Sequence, residues 1–219
     1  HDKMWSSNLI IVKKILDHVT KHKCYLIQTG SSSEYGIHSK PTKENNLLLP
    51  SNIYSGTKAA ATMIVSAFAK GENLNAIVVR PYCIYGHFSK KNRLIPLIIH
   101  NIFKEKKMTI YDGNQDYLYV KDYVGAMDRL ILKRKLWSRG EIINVGSGKQ
   151  YSNIQVVKII EKVFEKKLNY KEIKRFNKPT DAKTWRSGSN ILKNKYKFSH
   201  KYSLYQGILD MKKNLKIHS

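Results

Sequence analysis

The sequence predicts an α/β chain: the second half of a parallel sheet with helices packed on it, joined to a smaller α+β region. Three observations predict it. Amphipathic helical runs alternate with short apolar strands over residues 1–86. From about residue 87 the elements become shorter and more mixed. The strand ending in Thr29-Gly30-Ser31-Ser32-Ser33-Glu34-Tyr35-Gly36 is followed, 23 residues after Ser31, by Tyr54-Ser55-Gly56-Thr57-Lys58. In parallel α/β sheets ligands sit at the carboxyl ends of the strands, where Ser31 and Tyr82 would emerge.

In order, residues 4–20 read as an amphipathic helix with Ile11, Ile15 and Val19 on one stripe. Residues 24–29, CYLIQT, read as a short buried strand, and 37–53 as a polar loop containing proline. Residues 54–70, YSGTKAAATMIVSAFAK, are alanine-rich and free of proline, a helix with a small-residue face suited to close packing. The β-branched run Ala76-Ile77-Val78-Val79-Arg80-Pro81 is a second buried strand. Beyond it come a helix over 94–106, strands over 108–111 and 117–120, a helix over 122–135 and a strand over 141–146. A helix over 152–166 opens at a Ser152 cap, and a last helix lies near 203–215.

The Tyr54/Lys58 spacing is informative only in context. With 14 Tyr and 33 Lys in 219 residues, about two Tyr-x-x-x-Lys matches arise by chance, and three occur. Tyr117/Lys121 sits in an alternating, strand-like run, where the fourth neighbour is farther away, and Tyr170/Lys174 in a charged segment with no serine strand. Only Tyr54 opens a helix, on which residues four apart share a face, so Lys58 lies beside the phenol ring. A tyrosine titrates near 10, and service as a base near pH 7 needs a drop of roughly 3, about 4 kcal/mol. One ammonium about 4 Å away, at an effective dielectric near 20, supplies about that much. Ser31 would hydrogen-bond the same substrate hydroxyl and hold it for proton transfer. The plainer alternative is a surface tyrosine and lysine beside a serine-rich turn, and the flanking elements weigh against it.

Composition bounds the partners. With 42% hydrophobic residues the chain can bury one good core or one and a half domains. No apolar run approaches the length of a membrane span and the first residues carry no signal-peptide pattern, so no membrane partner and a cytoplasmic location are expected. Cys24 and Cys83 both fall in strands predicted to be buried, which favours reduced thiols, and neither has neighbours at metal-ligand spacing, so no metal is expected. The net charge of +24 invites a nucleic-acid reading. Against it, Lys outnumbers Arg by 33 to 7, whereas Arg is the preferred reader of base edges and phosphate. A solvated lysine surface is the better account, and its field can attract an anionic substrate.

Taken together, these segments resemble the extended short-chain dehydrogenase/reductase family, the NAD-dependent nucleotide-sugar epimerases and dehydratases. The serine strand with Tyr35-Gly36, the Tyr54/Lys58 pair, Arg80-Pro81-Tyr82-Cys83-Ile84-Tyr85-Gly86, the run 112–122, Asn144-Val145-Gly146-Ser147-Gly148 and Lys178-Pro179-Thr180-Asp181 each stand where that family has a motif, and Asn8 matches an asparagine in its first helix. The resemblance implies the C-terminal half of a Rossmann-type sheet over 1–86 and a mainly substrate-binding region over 87–219, with strand 141–146 returning to the sheet. It implies NAD, or NADP, as cofactor, with Tyr54, Lys58 and Ser31 catalytic and Tyr54, Lys58, Pro81 and Tyr82 against the cofactor. Cys83, Arg93, Lys178 and Asp181 fall on the substrate side, and helices 4–20 and 54–70 match the pair through which the family forms homodimers.

Departures from the pattern shape the expected activity. Aligned without gaps on Tyr35-Gly36, Ser31 takes the catalytic position, and Ser32 and Ser33 replace the acidic pair of the dehydratases. A one-residue gap would instead shift the role to Ser32 and set Glu34 at the acid position. The ungapped alignment favours a 4-epimerase working through a transient 4-keto sugar. A 4-ketoreductase, a dehydratase, and a non-catalytic remnant that binds no cofactor on its own are the alternatives. Family members begin with a glycine-rich phosphate loop. This chain has none and starts some three strand-helix units late, on the order of 90 residues at about 30 per unit, so an N-terminally truncated member is expected. Run 112–122 lacks the family's phosphate-gripping Arg, Cys83 replaces an Asn and Lys178 an Arg. Arg93-Leu94-Ile95-Pro96 fits a subgroup pattern that would compensate, making Arg93 the leading phosphate ligand, with a surface arginine at a helix start as the alternative.

Overall fold

A computed structural model describes residues 2–174 and 184–215 of the chain. It opens with a continuous helical stretch made of α1 (Asp2–Trp5), a π-helical turn (Ser6–Ile10) and α2 (Ile11–His22). Strand β1 (Leu26–Thr29), a 3-10 turn (Ser32–Tyr35), α3 (Ile53–Gly71) and β2 (Ala76–Pro81) follow. After β3 (Cys83–Tyr85) come α4 (Leu94–Phe103), β4 (Met108–Tyr111), β5 (Asn114–Tyr119) and α5 (Val120–Leu132). The order closes with β6 (Glu141–Val145), β7 (Gln150–Ser152), α6 (Asn153–Phe164), β8 (Tyr170–Ile173), α7 (Ile191–Asn194) and α8 (Leu204–Asn214).

A three-stranded parallel sheet, β1-β2-β6, forms the centre, with Gln28 opposite Val78 and Val78 opposite Ile142. Side chains alternate across a strand, so the unbroken apolar run of β2 serves two cores. Ala76 and Val78 meet Val12, Leu16 and Val19 of α2 and Ala61, Val65 and Ala69 of α3. Ile77 and Val79, with Ile143 and Val145 of β6, meet Ala126 and Leu130 of α5. Small residues on α3 let the helix lie close to the sheet. The second sheet, β3-β5-β7, pairs β3 with β5 in parallel and β5 with β7 antiparallel. It shares a third core with α4, α6 and α8, built from Ile95, Ile98, Ile102, Val156, Ile160 and Ile208. Strands β4 and β8 form a separate parallel pair. Ser152 caps α6, accepting from the Gln155 amide.

Two sequence expectations change. The buried stripe of α2 is Val12, Leu16 and Val19, whereas Ile11 and Ile15 are 47% and 37% exposed. The helix carries two apolar stripes about 100° apart, and periodicity alone does not say which meets the sheet. Cys24 is exposed and precedes β1, because the strand starts two residues later, at Leu26. Cys83 is half-buried in β3.

Helix α8 is fastened to the body through Asp210. Its carboxylate accepts from the Tyr119 hydroxyl and from Lys121 Nζ at 2.8 Å, with His87 Nε2 at 3.4 Å. The bonds from Lys121 and Tyr119 hold its pKa down at about 2. A carboxyl depressed by folding stabilises above its unfolded value near 3.9 and loses that contribution as pH falls to the folded value. Acid unfolding should therefore include a loss of stability between pH about 4 and about 2 that Asp210→Asn removes. Urea midpoints across that interval check it, and parallel curves for the two proteins would refute it.

Candidate active site

The serine turn is built by its own hydrogen bonds. Ser31 is extended at φ −161°, and its Oγ accepts from the Ser33 amide at 3.2 Å while sharing a 2.8 Å bond with Ser33 Oγ. Its amide donates back to Glu34 Oε1 at 2.7 Å, completing a capping box. Glu34 is fully buried and receives Arg80 Nε at 2.6 Å and Thr62 Oγ1 at 3.0 Å. Burial pushes the Glu34 pKa up, and the Arg80 charge opposes that rise. A Cβ on Gly30 would stand 2.4 Å from Glu34 Oε1, so the turn needs glycine there to let the carboxylate in.

The network continues inward. Arg80 Nη1 donates to the Tyr35 hydroxyl at 2.9 Å, and that hydroxyl donates to Asn144 Oδ1 at 2.7 Å. The Asn144 amide reaches Glu44 Oε1 at 2.9 Å, and its side chain donates to the Thr42 carbonyl at 3.2 Å. The carboxyl ends of β1, β2 and β6 and the loop between the serine turn and α3 are thereby tied into one unit.

Helix α3 supplies the other half of the corner. Asn52 caps it, accepting from the Ser55 amide at 2.9 Å, and Ser55 Oγ accepts from the Asn52 amide at 3.1 Å. Tyr54 in the first turn is 43% exposed. Lys58, one turn on, is half-buried and donates to the Thr29 carbonyl at 3.0 Å, which anchors the ammonium at the carboxyl end of β1. Burial lowers the Lys58 pKa and the Glu34 charge opposes it. Asn8 donates to Thr57 Oγ1 at 3.0 Å, linking the first helical stretch to α3.

Pro81 ends β2, and Tyr82 is buried with its hydroxyl engaged by Thr42, burial raising its pKa. Cys83 and Arg93 line one cavity of about 270 Å³ with Ser89, Gln115, Tyr117 and Asn153. Burial raises the Cys83 pKa to about 11, so it faces the cavity as a neutral thiol. A wider cleft of about 420 Å³ shares Gln115 and Asn153 and runs past Tyr111 and Gly113. Lys178 and Asp181 lie outside the described residues.

Sequence reasoning missed Asp116. Its fully buried carboxylate accepts from the amides of Ser147, Gly148 and Ser187 at 2.8, 2.9 and 3.0 Å and from Ser147 Oγ at 2.6 Å. Burial raises its pKa. It fixes the Gly-Ser-Gly loop after β6, and a lone acid within an aromatic strand was the available signal. Arg80, a guanidinium in an otherwise apolar run, carried a comparable signal for the network around Glu34.

Residues 1–146 match the family described as NAD dependent epimerase/dehydratase, and the chain belongs to that family. A dTDP-D-glucose 4,6-dehydratase of Dictyostelium discoideum is 31% identical over 138 residues, covering 62% of this chain and 31% of its own length. The chain thus spans about a third of that relative. Among solved structures, dTDP-glucose 4,6-dehydratase of Bacillus anthracis in complex with NAD gives a TM-score of 0.86 at 27% identity, over 96% of this chain and 69% of that one. UDP-glucuronic acid 4-epimerase of Bacillus cereus, solved with UDP-glucuronic acid and NAD, gives 0.85 at 22% identity over 96% and 68%, a likeness of fold. The α/β architecture with its parallel sheet is the Rossmann-type fold of those structures.

Removing one partner of a buried ion pair strands the other charge and costs about 3–5 kcal/mol. Arg80→Met should lower stability by about that much, and the double variant Arg80→Met/Glu34→Leu should recover a good part of it. Lys13→Ala, at the exposed pair with Asp17, should change it by less than about 0.5 kcal/mol. Urea unfolding of the three variants checks the ranking, and equal losses in all three would contradict it.

Proposed function

We propose that this chain carries the catalytic and substrate-binding part of an NAD-dependent nucleotide-sugar 4-epimerase. The observation that carries the reading is the placement of Lys58 on the Thr29 carbonyl, on the helix that opens with Tyr54. A half-buried ammonium is held at the end of β1, one helical turn from an open phenol, beside a serine turn built by a capping box. Tyr54 takes the proton from the sugar 4-hydroxyl and later returns it, Lys58 stabilises the phenolate so formed, and Ser31 holds the reacting oxygen. Tyr54 and Lys58 fit the nicotinamide-ribose end of the dinucleotide, with Pro81 and Tyr82 closing the β2 side; NAD is the reading and NADP the alternative. When bound, the dinucleotide supplies the acceptance and return of hydride at C4. The chain contains no glycine-rich loop for the pyrophosphate, so none of its residues is assigned to that grip.

The substrate read here is an anionic nucleotide-sugar, with Arg93 against its diphosphate, Cys83 in the same cavity, and Lys178 and Asp181 on the substrate side. Residues 1–86 are read as the dinucleotide half and 87–219 as mainly substrate-binding. Ile11 and Ile15 on α2 and Met63 and Ile64 on α3 are exposed apolar side chains, which supports a homodimer through these helices. No helix among the described residues is long and apolar enough to cross a membrane.

Relatives named dTDP-glucose 4,6-dehydratase favour dehydration as the second reading. Glu34 weighs against it. The turn's one carboxylate is bonded to Arg80, Thr62 and the Ser31 amide, leaving it unable to deliver a proton to a leaving hydroxyl.

Incubation with UDP- and dTDP-hexoses and added NAD should interconvert 4-epimers without net cofactor reduction. Tyr54→Phe should lower that rate by about 10²–10⁴-fold with UDP affinity kept. A 4-keto-6-deoxy product would establish dehydration instead, and consumption of reduced cofactor on a 4-keto sugar would establish a ketoreductase. No nicotinamide binding at millimolar concentration would leave a non-catalytic protein. Sedimentation should give a dimer, and Ile64→Glu a monomer; a wild-type monomer at high concentration would exclude the helix-pair interface.

A further inference from the structure

The loop 86–93 brings Arg93 to its cavity with little burial to hold it. Phe88 and residues 90–93 are exposed, and the loop's own bonds are a turn, Ser89 amide to Gly86 carbonyl at 3.2 Å with Gly86 amide to Ser89 Oγ at 3.0 Å, and Arg93 amide to Lys90 carbonyl at 2.9 Å. Beyond the loop, the Arg93 carbonyl accepts from the Leu97 amide at 2.9 Å where α4 begins, and the side-chain attachment is His87. The ring Nε2 lies 3.4 Å from Asp210 Oδ2 and 3.3 Å from the Tyr119 hydroxyl, which itself donates to Asp210. Lys121 completes the set at 2.8 Å from the same carboxylate oxygen.

Helix α8 can present Asp210 there because Gly207 lies directly on the second sheet. A Cβ at Gly207 would stand 2.1 Å from the Tyr85 hydroxyl and 2.9 Å from the Tyr119 ring. Asp210 lies three residues on, one turn along the same face. The Tyr85 hydroxyl also donates to the Leu204 carbonyl at 3.3 Å. Helix α8, β3, β5 and the root of the loop therefore meet at one junction, in which Asp210 is the carboxylate shared by Tyr119, Lys121 and His87.

We propose that Asp210 is a positioning residue for substrate binding: through His87 it fixes the loop 86–93 and so sets where Arg93 stands in its cavity. The inference rests on the reading of Arg93 as the diphosphate ligand. Asp210 lies outside the lining of the Arg93 cavity, and its Oδ2 is shared by Tyr119, Lys121 and His87. Losing it frees the loop, and Arg93 must then be ordered anew at each binding event.

Calorimetric titration with UDP tests this. Arg93→Ala should weaken UDP about tenfold, the loss of one charged hydrogen-bonding partner to phosphate. Asp210→Ala and His87→Ala should each weaken it about fivefold or more. Because both act through Arg93, the double variant Arg93→Ala/Asp210→Ala should bind no worse than Arg93→Ala alone. A merely structural residue would give losses that multiply, and multiplying losses would overturn the proposal. So would full UDP affinity in Asp210→Ala beside a weakened Arg93→Ala. Unchanged affinity in Arg93→Ala would instead remove the diphosphate reading, and this inference with it. Should Asp210→Ala not fold, the cycle of His87→Ala with Arg93→Ala decides on the same terms.

Discussion

Glu34 and Arg80 are two opposite charges taken wholly out of water, 2.6 Å apart, where β1 and β2 end. Such a pair repays its desolvation only with good geometry and further hydrogen bonds on the remaining lone pairs and protons. Both conditions are met by groups of the serine turn and its neighbours. The Ser31 amide and Thr62 take up the carboxylate, and the guanidinium passes through Tyr35 to Asn144 on β6. The serine turn can take no other shape without stranding a buried charge. Lys58 is drawn into the same balance: the Glu34 charge counters the burial that would otherwise favour a neutral amine.

Much of the frame was legible because its signals are local. Ser152 and Gln155 announce the start of α6 three residues apart, and the alanine-rich run after Asn52 announces α3. The β-branched run at 76–79 reads as a buried strand without knowledge of its partners. What stayed hidden depends on distant partners. The two apolar stripes of α2 are equivalent until the sheet selects Val12, Leu16 and Val19. Strands β7 and β8 are short, and exist through pairing with residues 34 or more positions earlier, in β5 and β4. Tyr82 lies in the expected segment, yet its hydroxyl answers to Thr42, forty residues away. Glu34 shows the limit most plainly. By sequence it is an acid in a catalytic turn, and only the position of Arg80 makes it a structural charge.

The two halves of the site are stabilised independently and joined by a short length of chain. The corner around Ser31 depends on the network through Arg80, and the Arg93 cavity on the junction of α8 with β3 and β5. Between them run Pro81, Tyr82 and Cys83, extended and held on both sides: the Tyr82 amide donates to the Val145 carbonyl at 3.0 Å, and Cys83 pairs with Tyr117. From Arg80 to Cys83 is three residues, about 10 Å at roughly 3.3 Å per residue. This strap passes from the first sheet to the second on backbone hydrogen bonds, which set the separation between the end of β2 and the Arg93 cavity. Cys83 and Arg93 fall along and beyond the strap, whereas Ser31, Tyr54 and Lys58 precede it. Substitutions around the Arg93 cavity therefore leave in place the hydrogen bonds that hold the Ser31 turn and Lys58.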